Sequence, residues 1–224
     1  MGPWKQVLFQ RTNVKTEMVF LCLFGLHALA FSQDAARPTV KVGDKWVIET
    51  LDNWKQRVTS SREVRVSEVT DSTLKFEIKD SGSGKTTSLI GNLDGNTIES
   101  SGRRYDTPRM DYSFPLFVGK KWNSKDSVPS YAGYGVLTVE RTCEVLALEN
   151  VVTRAGTFNA YKIRCEGPYT NTDGRHGGCC YKFESTRWYS PEAKYFVKHE
   201  YKNFNPRGVW DNFDDQLVSF ELVK

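Results

Sequence analysis

A chain of 224 residues with 39% hydrophobic residues, 17 glycines and 8 prolines is an ordinary globular sequence, too apolar to be disordered. It is long enough for one large domain or two small ones. Its 31 basic and 27 acidic residues are interleaved, which excludes the clustered positive charge of a nucleic-acid binder.

The first thirty residues read as a secretion signal. Lys5, Arg11 and Lys15 precede an apolar run, residues 18–31 (MVFLCLFGLHALAF), which ends in Ala28-Leu29-Ala30, small residues at the positions a signal peptidase inspects. The run is shorter than the ~20 residues of a membrane span, so cleavage is expected rather than anchoring, and translation starts at Met1 or Met18. The expected destination is the periplasm or the exterior. Removing 1–30 leaves 28 basic and 26 acidic residues, close to neutral, and four cysteines: Cys143, Cys165, Cys179 and Cys180. An even number in an oxidising compartment points to disulfides.

Period-two alternation dominates the rest of the chain. Val64 and Val66 alternate with charged and polar neighbours; after Thr70-Asp71-Ser72, Leu74, Phe76 and Ile78 do the same. Two such runs around a polar turn make a hairpin with one buried face. Residues 137–148, 158–166, 181–189, 195–201 and 217–223 are also strand-like, rich in β-branched and aromatic side chains. No stretch after the signal carries a sustained helical stripe. The expected fold class is all-β, with little helix: a curved antiparallel sheet, either one long sheet or two half-barrel-like units in tandem.

An internal echo suggests where two units would begin. Val42-Gly43-Asp44-Lys45-Trp46 recurs as Val118-Gly119-Lys120-Lys121-Trp122. On this basis residues 38–100 form a first β unit, 101–113 (polar, with a proline) a connection, and 114–224 a second unit.

Candidate chemistry is sparse. Residues 81–87 (SGSGKTT) lack the spacing and the following helix of a phosphate-binding loop and read as a hairpin turn. Only His176 and His199 remain after the signal, His199 in an alternating strand with a surface or half-buried role, and neither a Gly-x-Ser-x-Gly elbow nor a His-Glu-x-x-His pair is present. Asp211, Asp214 and Asp215 lack calcium-loop spacing and are expected in a solvated turn. Adjacent Cys179 and Cys180 on a strand would point to opposite faces, which favours disulfides over a metal site. A hairpin centred on Arg154 places Cys143 opposite Cys165, within disulfide reach, although Cys179 and Cys180 each remain an alternative partner. No metal, catalytic or cofactor residue is assigned.

Three segments are more specific: Phe114-Pro115-Leu116-Phe117-Val118-Gly119-Lys120-Lys121-Trp122; Ala155-Gly156-Thr157-Phe158-Asn159-Ala160-Tyr161-Lys162-Ile163; and Trp188-Tyr189-Ser190-Pro191-Glu192 followed by Val197-Lys198. Together, over about residues 110–202, they resemble small exported bacterial proteins built on a curved antiparallel sheet and related to the half-barrels of the lipoprotein-carrier group. The resemblance implies that fold and carries over no catalytic residue. The insertion at 169–180 departs from the pattern.

A half-barrel has an apolar concave face that needs a helix, a loop or a ligand over it. The expected function is therefore non-enzymatic binding of an amphiphile or envelope component, with Trp46, Trp122, Trp188 and Tyr189 as the wall of the site. The alternatives are an envelope scaffold acting through protein contacts and, less favoured, a hydrolase. Partners are then an amphiphilic ligand or an envelope protein. Nucleic acid is not a partner, and the processed chain is not an integral membrane protein.

Overall fold

The computed structural model describes residues 34–131, 133–172 and 181–224. The expected signal peptide (1–30), His176, Cys179 and Cys180 lie outside the described residues. Those described form twelve strands and, among them, no helix: β1 (Lys45–Asp52), β2 (Arg57–Val69), β3 (Thr73–Asp80), β4 (Thr86–Asn92), β5 (Thr97–Ser100), β6 (Arg103–Arg109), β7 (Lys121–Pro129), β8 (Val136–Thr153), β9 (Gly156–Asn171), β10 (Lys182–Ser190), β11 (Tyr195–Asn205) and β12 (Gly208–Glu221). The strands are longer than the alternation alone implied, because charged residues at their ends still pair through the backbone.

All pairings are antiparallel, in one sheet ordered β6-β5-β4-β3-β2-β1-β12-β11-β10-β9-β8-β7. Two contiguous meanders, β1–β6 and β7–β12, are thus joined where β1 pairs with β12. The sheet curls until its two edges meet. There the contacts come from side chains: Thr107 donates to the Lys125 carbonyl at 2.6 Å, Asp106 accepts the Ser127 N–H at 2.6 Å, and Arg103 donates to the Pro129 carbonyl at 3.0 Å. Pro108 and Pro129 lack the donor a ladder needs, which keeps β6 and β7 as edges and leaves the barrel nearly closed.

The echo is also a structural one. Gly43 and Gly119 both take positive φ, +97° and +90°. Gly43 N–H bonds the Val66 carbonyl and Val66 N–H the Asp44 carbonyl; Gly119 and Val145, with Lys120, repeat the arrangement. Trp46 and Trp122 then occupy the second position of β1 and of β7.

Residues 101–113 correct one expectation. They are not a simple connection: residues 103–109 are strand β6, and those that follow turn into the interior. Trp122 donates to the Met110 carbonyl, Asn96 exchanges two hydrogen bonds with the Tyr112 backbone, and Tyr112 and Phe114 pack against Tyr189. A loop of the chain itself thereby covers much of the concave face. Apolar side chains collect in two clusters, one around Trp46, Ile48, Val64, Val66 and Leu217, the other around Leu116, Val145, Ile163 and the cystine.

Cys143 and Cys165 are cross-strand partners and form a disulfide. The turn itself is not centred on Arg154, since Thr153 faces Gly156; uncorrected, that register would place Cys143 opposite Glu166. A bulge between Val145 and Ala147 absorbs one residue and brings the cysteines into line.

Candidate functional site

The four aromatic residues expected to wall a groove are all buried and do not line one groove together, although Trp46 and Tyr189 border the same small space. Trp46 is fully buried, stacks on Tyr195 at 4.7 Å and donates to the Ala193 carbonyl at 2.7 Å. Trp188 sits in the same cluster, its indole N–H on Glu149 at 2.7 Å and its ring beside Lys162 and Lys198. Trp122 and Tyr189 belong to the other cluster. The physical reason is that each ring buries a large area, which stabilises the fold most when it is packed within a cluster.

Two expectations about polar residues are corrected. His199 is not on the surface, and Asp215 is not in a solvated turn: both are buried within strands. Register explains why. Arg187, His199, Asp215, Thr50 and Ser60 are successive cross-strand partners on β10, β11, β12, β1 and β2, so one polar residue from each of five strands falls on one line. Asp215 accepts from Thr50 at 2.6 Å and from Arg62 at 2.9 Å, and lies 3.3 Å from His199 Nδ1. Its ionised carboxylate only accepts, so Nδ1 carries the proton and Nε2 accepts the Ser185 hydroxyl at 2.9 Å.

Ser185, His199 and Asp215 thus have the connectivity of a nucleophile, a base and an orienting acid. The surroundings do not suit that chemistry. Ser185 lines none of the larger cavities, and burial, followed by the charge of Arg187, holds the imidazole pKa down to about 4. The group is a satisfied core network that orders five strands.

A second ionic group lies towards β7 and β8. Arg187 reaches Asp111 at 2.5 Å, Arg109 reaches the same carboxylate at 3.2 Å, and Arg141 is bound to the fully buried Asp126. The arginines hold the Asp111 carboxyl well below the usual range against the effect of burial. Arg141 is pushed down to about 10, first by burial and then by Arg109, with Arg187 adding to it. The second oxygen of Asp126 has no hydrogen-bond partner among the described residues.

Above this group opens a cavity of about 470 Å³, within the range of small-molecule sites. Arg109, Asp126 and Arg141 are on its wall with Tyr105, Val128, Leu137, Val139, Phe183, Tyr201 and Trp210; Arg103 and the exposed Tyr131 stand at the edge, the guanidinium 3.2 Å from the ring centre. Gly167 is not on the cavity wall but lies behind it, against the β8 backbone at Glu140 and Arg141. A Cβ there would lie 2.0 Å from the Glu140 carbonyl oxygen, so only glycine lets β9 approach β8 beside Arg141. A smaller space of about 180 Å³, near Trp46, Tyr189 and Tyr195, is the remnant of the concave face that the interior loop leaves. Among the described residues no cluster of histidine, cysteine or carboxylates has the makings of a metal site.

Comparison with solved structures adds the fold. A protein provisionally described as a lipoprotein from Parabacteroides distasonis superposes with a TM-score of 0.56 at 14% identity, over 84% of this chain and all of the other. An exported protein, also provisionally so described, with a YmcC-like fold from Bacteroides fragilis gives 0.57 at 17%, over 84% and 99%. The fold is common to all three. Neither description names an activity. No protein-family model matches the chain, and no curated protein matches it. The resemblance read from residues 110–202 therefore holds at the level of fold, and over a longer stretch than the motifs marked.

Sequence reasoning missed Arg109, Asp111, Asp126, Arg141 and Arg187, and it placed Asp215 in a turn. Each stands in an alternating or polar stretch where a charge normally faces water. The available signal was register: a charge in phase with the apolar residues of its own strand, as Arg141 is with Val139 and Cys143.

Proposed function

We propose that this is an exported, non-enzymatic envelope protein that holds an amphiphile, with the open cavity beside Arg141 as its site and not the concave face under Trp46. The observation that carries this reading is the cavity itself: apolar and aromatic walls around a few fixed polar groups, on a fold whose inner face is otherwise filled by the chain. Export is supported by the N-terminal pattern and by the company the fold keeps. The test is native mass spectrometry of the processed protein from its own host, alongside Leu137→Trp, which fills the cavity without touching a charge. A co-purifying lipid mass that disappears in the variant is the expected result. An apo mass for both, with no binding of added single-chain amphiphiles, removes the proposal.

A further inference from the structure

The ionic group at the foot of the cavity is unbalanced. Arg109, Arg141 and Arg187 share two carboxylates, Asp111 and Asp126, in a part of the molecule where Asp126 and Arg141 are almost wholly shielded from water. Arg62 does not alter the count, because Asp215 neutralises it, and His199 next to that pair is neutral at pH 7. Buried charge is normally matched, since an uncompensated ion in a low-dielectric site is costly. Asp211 lies outside the buried group, near the phenols of Tyr169 and Tyr201.

Of the three arginines, Arg109 and Arg141 line the cavity, while Arg187 is on the far side of Asp111, against the smaller space near Tyr189. The excess charge is therefore accessible from the cavity. Guanidinium groups offer planar, paired donors suited to carboxylate or phosphate. Over them stand Val128, Leu137, Val139 and Trp210, which can bury a hydrocarbon chain but give a free inorganic anion nothing further.

We infer that the cavity selects a single-chain amphiphile with an anionic head group, the head held between Arg109 and Arg141 and the chain lying along Val128, Leu137 and Val139 towards Trp210. This rests on the reading given under Proposed function and adds the sign of the ligand's charge and its orientation.

The experiment is a calorimetric titration of the processed protein with four probes of equal chain length: dodecanoate, dodecyl phosphate, dodecanol and dodecyltrimethylammonium. Both anions should bind at least about tenfold tighter than the alcohol, and the cation weakest. Dodecanoate ahead of dodecyl phosphate indicates a fatty-acid head, and the reverse order a lipid phosphate. Arg109→Gln, on the partly exposed arginine, should remove most of the anion preference while leaving the alcohol's affinity within twofold. Because Arg141→Gln would strand Asp126, it is paired with Asp126→Asn, and this double variant should also lose the preference with a native circular dichroism spectrum. Equal binding of alcohol and anions, or preference for the cation, overturns the inference while leaving amphiphile binding in place. Failure of all four probes overturns both.

Discussion

The two meanders start alike and end differently. Both open with a glycine turn at positive φ, the same pair of backbone bonds and a buried tryptophan. In the first, β2 and β3 have 13 and 8 residues, and Val64, Val66, Leu74 and Phe76 close over Trp46 as an unbroken apolar face. In the second, β8 and β9 run to 18 and 16 residues, and the cluster around Trp122 extends along β8 to Val139. That extra length carries Val139, Arg141, Tyr169 and Asn171 to the cavity wall, which β6 of the first meander completes with Arg103, Tyr105 and Arg109. The same backbone device thus serves a packed half and a half that leaves an open space beside its core, and the second meander supplies most of the residues that line it.

The first meander should therefore be the more sensitive to loss of its tryptophan. Trp46→Ala should cost about 4–5 kcal/mol and Trp122→Ala about 3, because Trp122 keeps some exposure and its indole hydrogen bond is longer, 3.3 Å against 2.7 Å. Urea denaturation of both variants measures this, and equal or reversed costs would break the comparison.

The second meander has a covalent tie that the first lacks. Replacing Cys143 and Cys165 together by serine opens a loop with a sequence separation of 22, worth about 3 kcal/mol in the chain-entropy account. The loss should show as a lower denaturation midpoint in urea.

The polar row joining the two meanders should make stability fall in mild acid. His199 is neutral in the folded protein, with a pKa of about 4 against 6.5 when unfolded. Between those values the unfolded chain binds the extra proton, so stability rises with pH; its contribution is complete above about 6.5 and lost as pH falls towards 4, of the order of 3 kcal/mol. Asp111 and Asp215, held below the usual carboxylate range, give a separate loss at still lower pH. Denaturation at pH 7 and pH 4.5 for the wild type and His199→Gln would isolate the histidine. An unchanged slope in the variant would show that the row does not act through this residue.

The smallest effect is expected at Ser185. Its hydroxyl satisfies His199 Nε2 and nothing else is asked of it, so Ser185→Ala should cost about 1 kcal/mol. Hydrolysis of a chromogenic short-chain ester should stay at the buffer rate for both proteins; a rate that the variant abolishes would make the serine a nucleophile and overturn the non-enzymatic reading.

Alternation by itself determined the fold class, most strand positions and the two tryptophan openings, because side-chain direction in a strand is a local property with period two. It also brought Cys143 to Cys165, through a turn centre half a residue off that the bulge at Val145–Ala147 happens to offset. Only the tertiary structure decided the rest. The curl that brings β6 to β7, the entry of Met110–Phe114 into the interior and the meeting of Arg109, Arg141 and Arg187 around two carboxylates join residues up to 78 positions apart. Charges like these read as surface residues one strand at a time. They become a site only when the registers of many strands add together around a closing sheet.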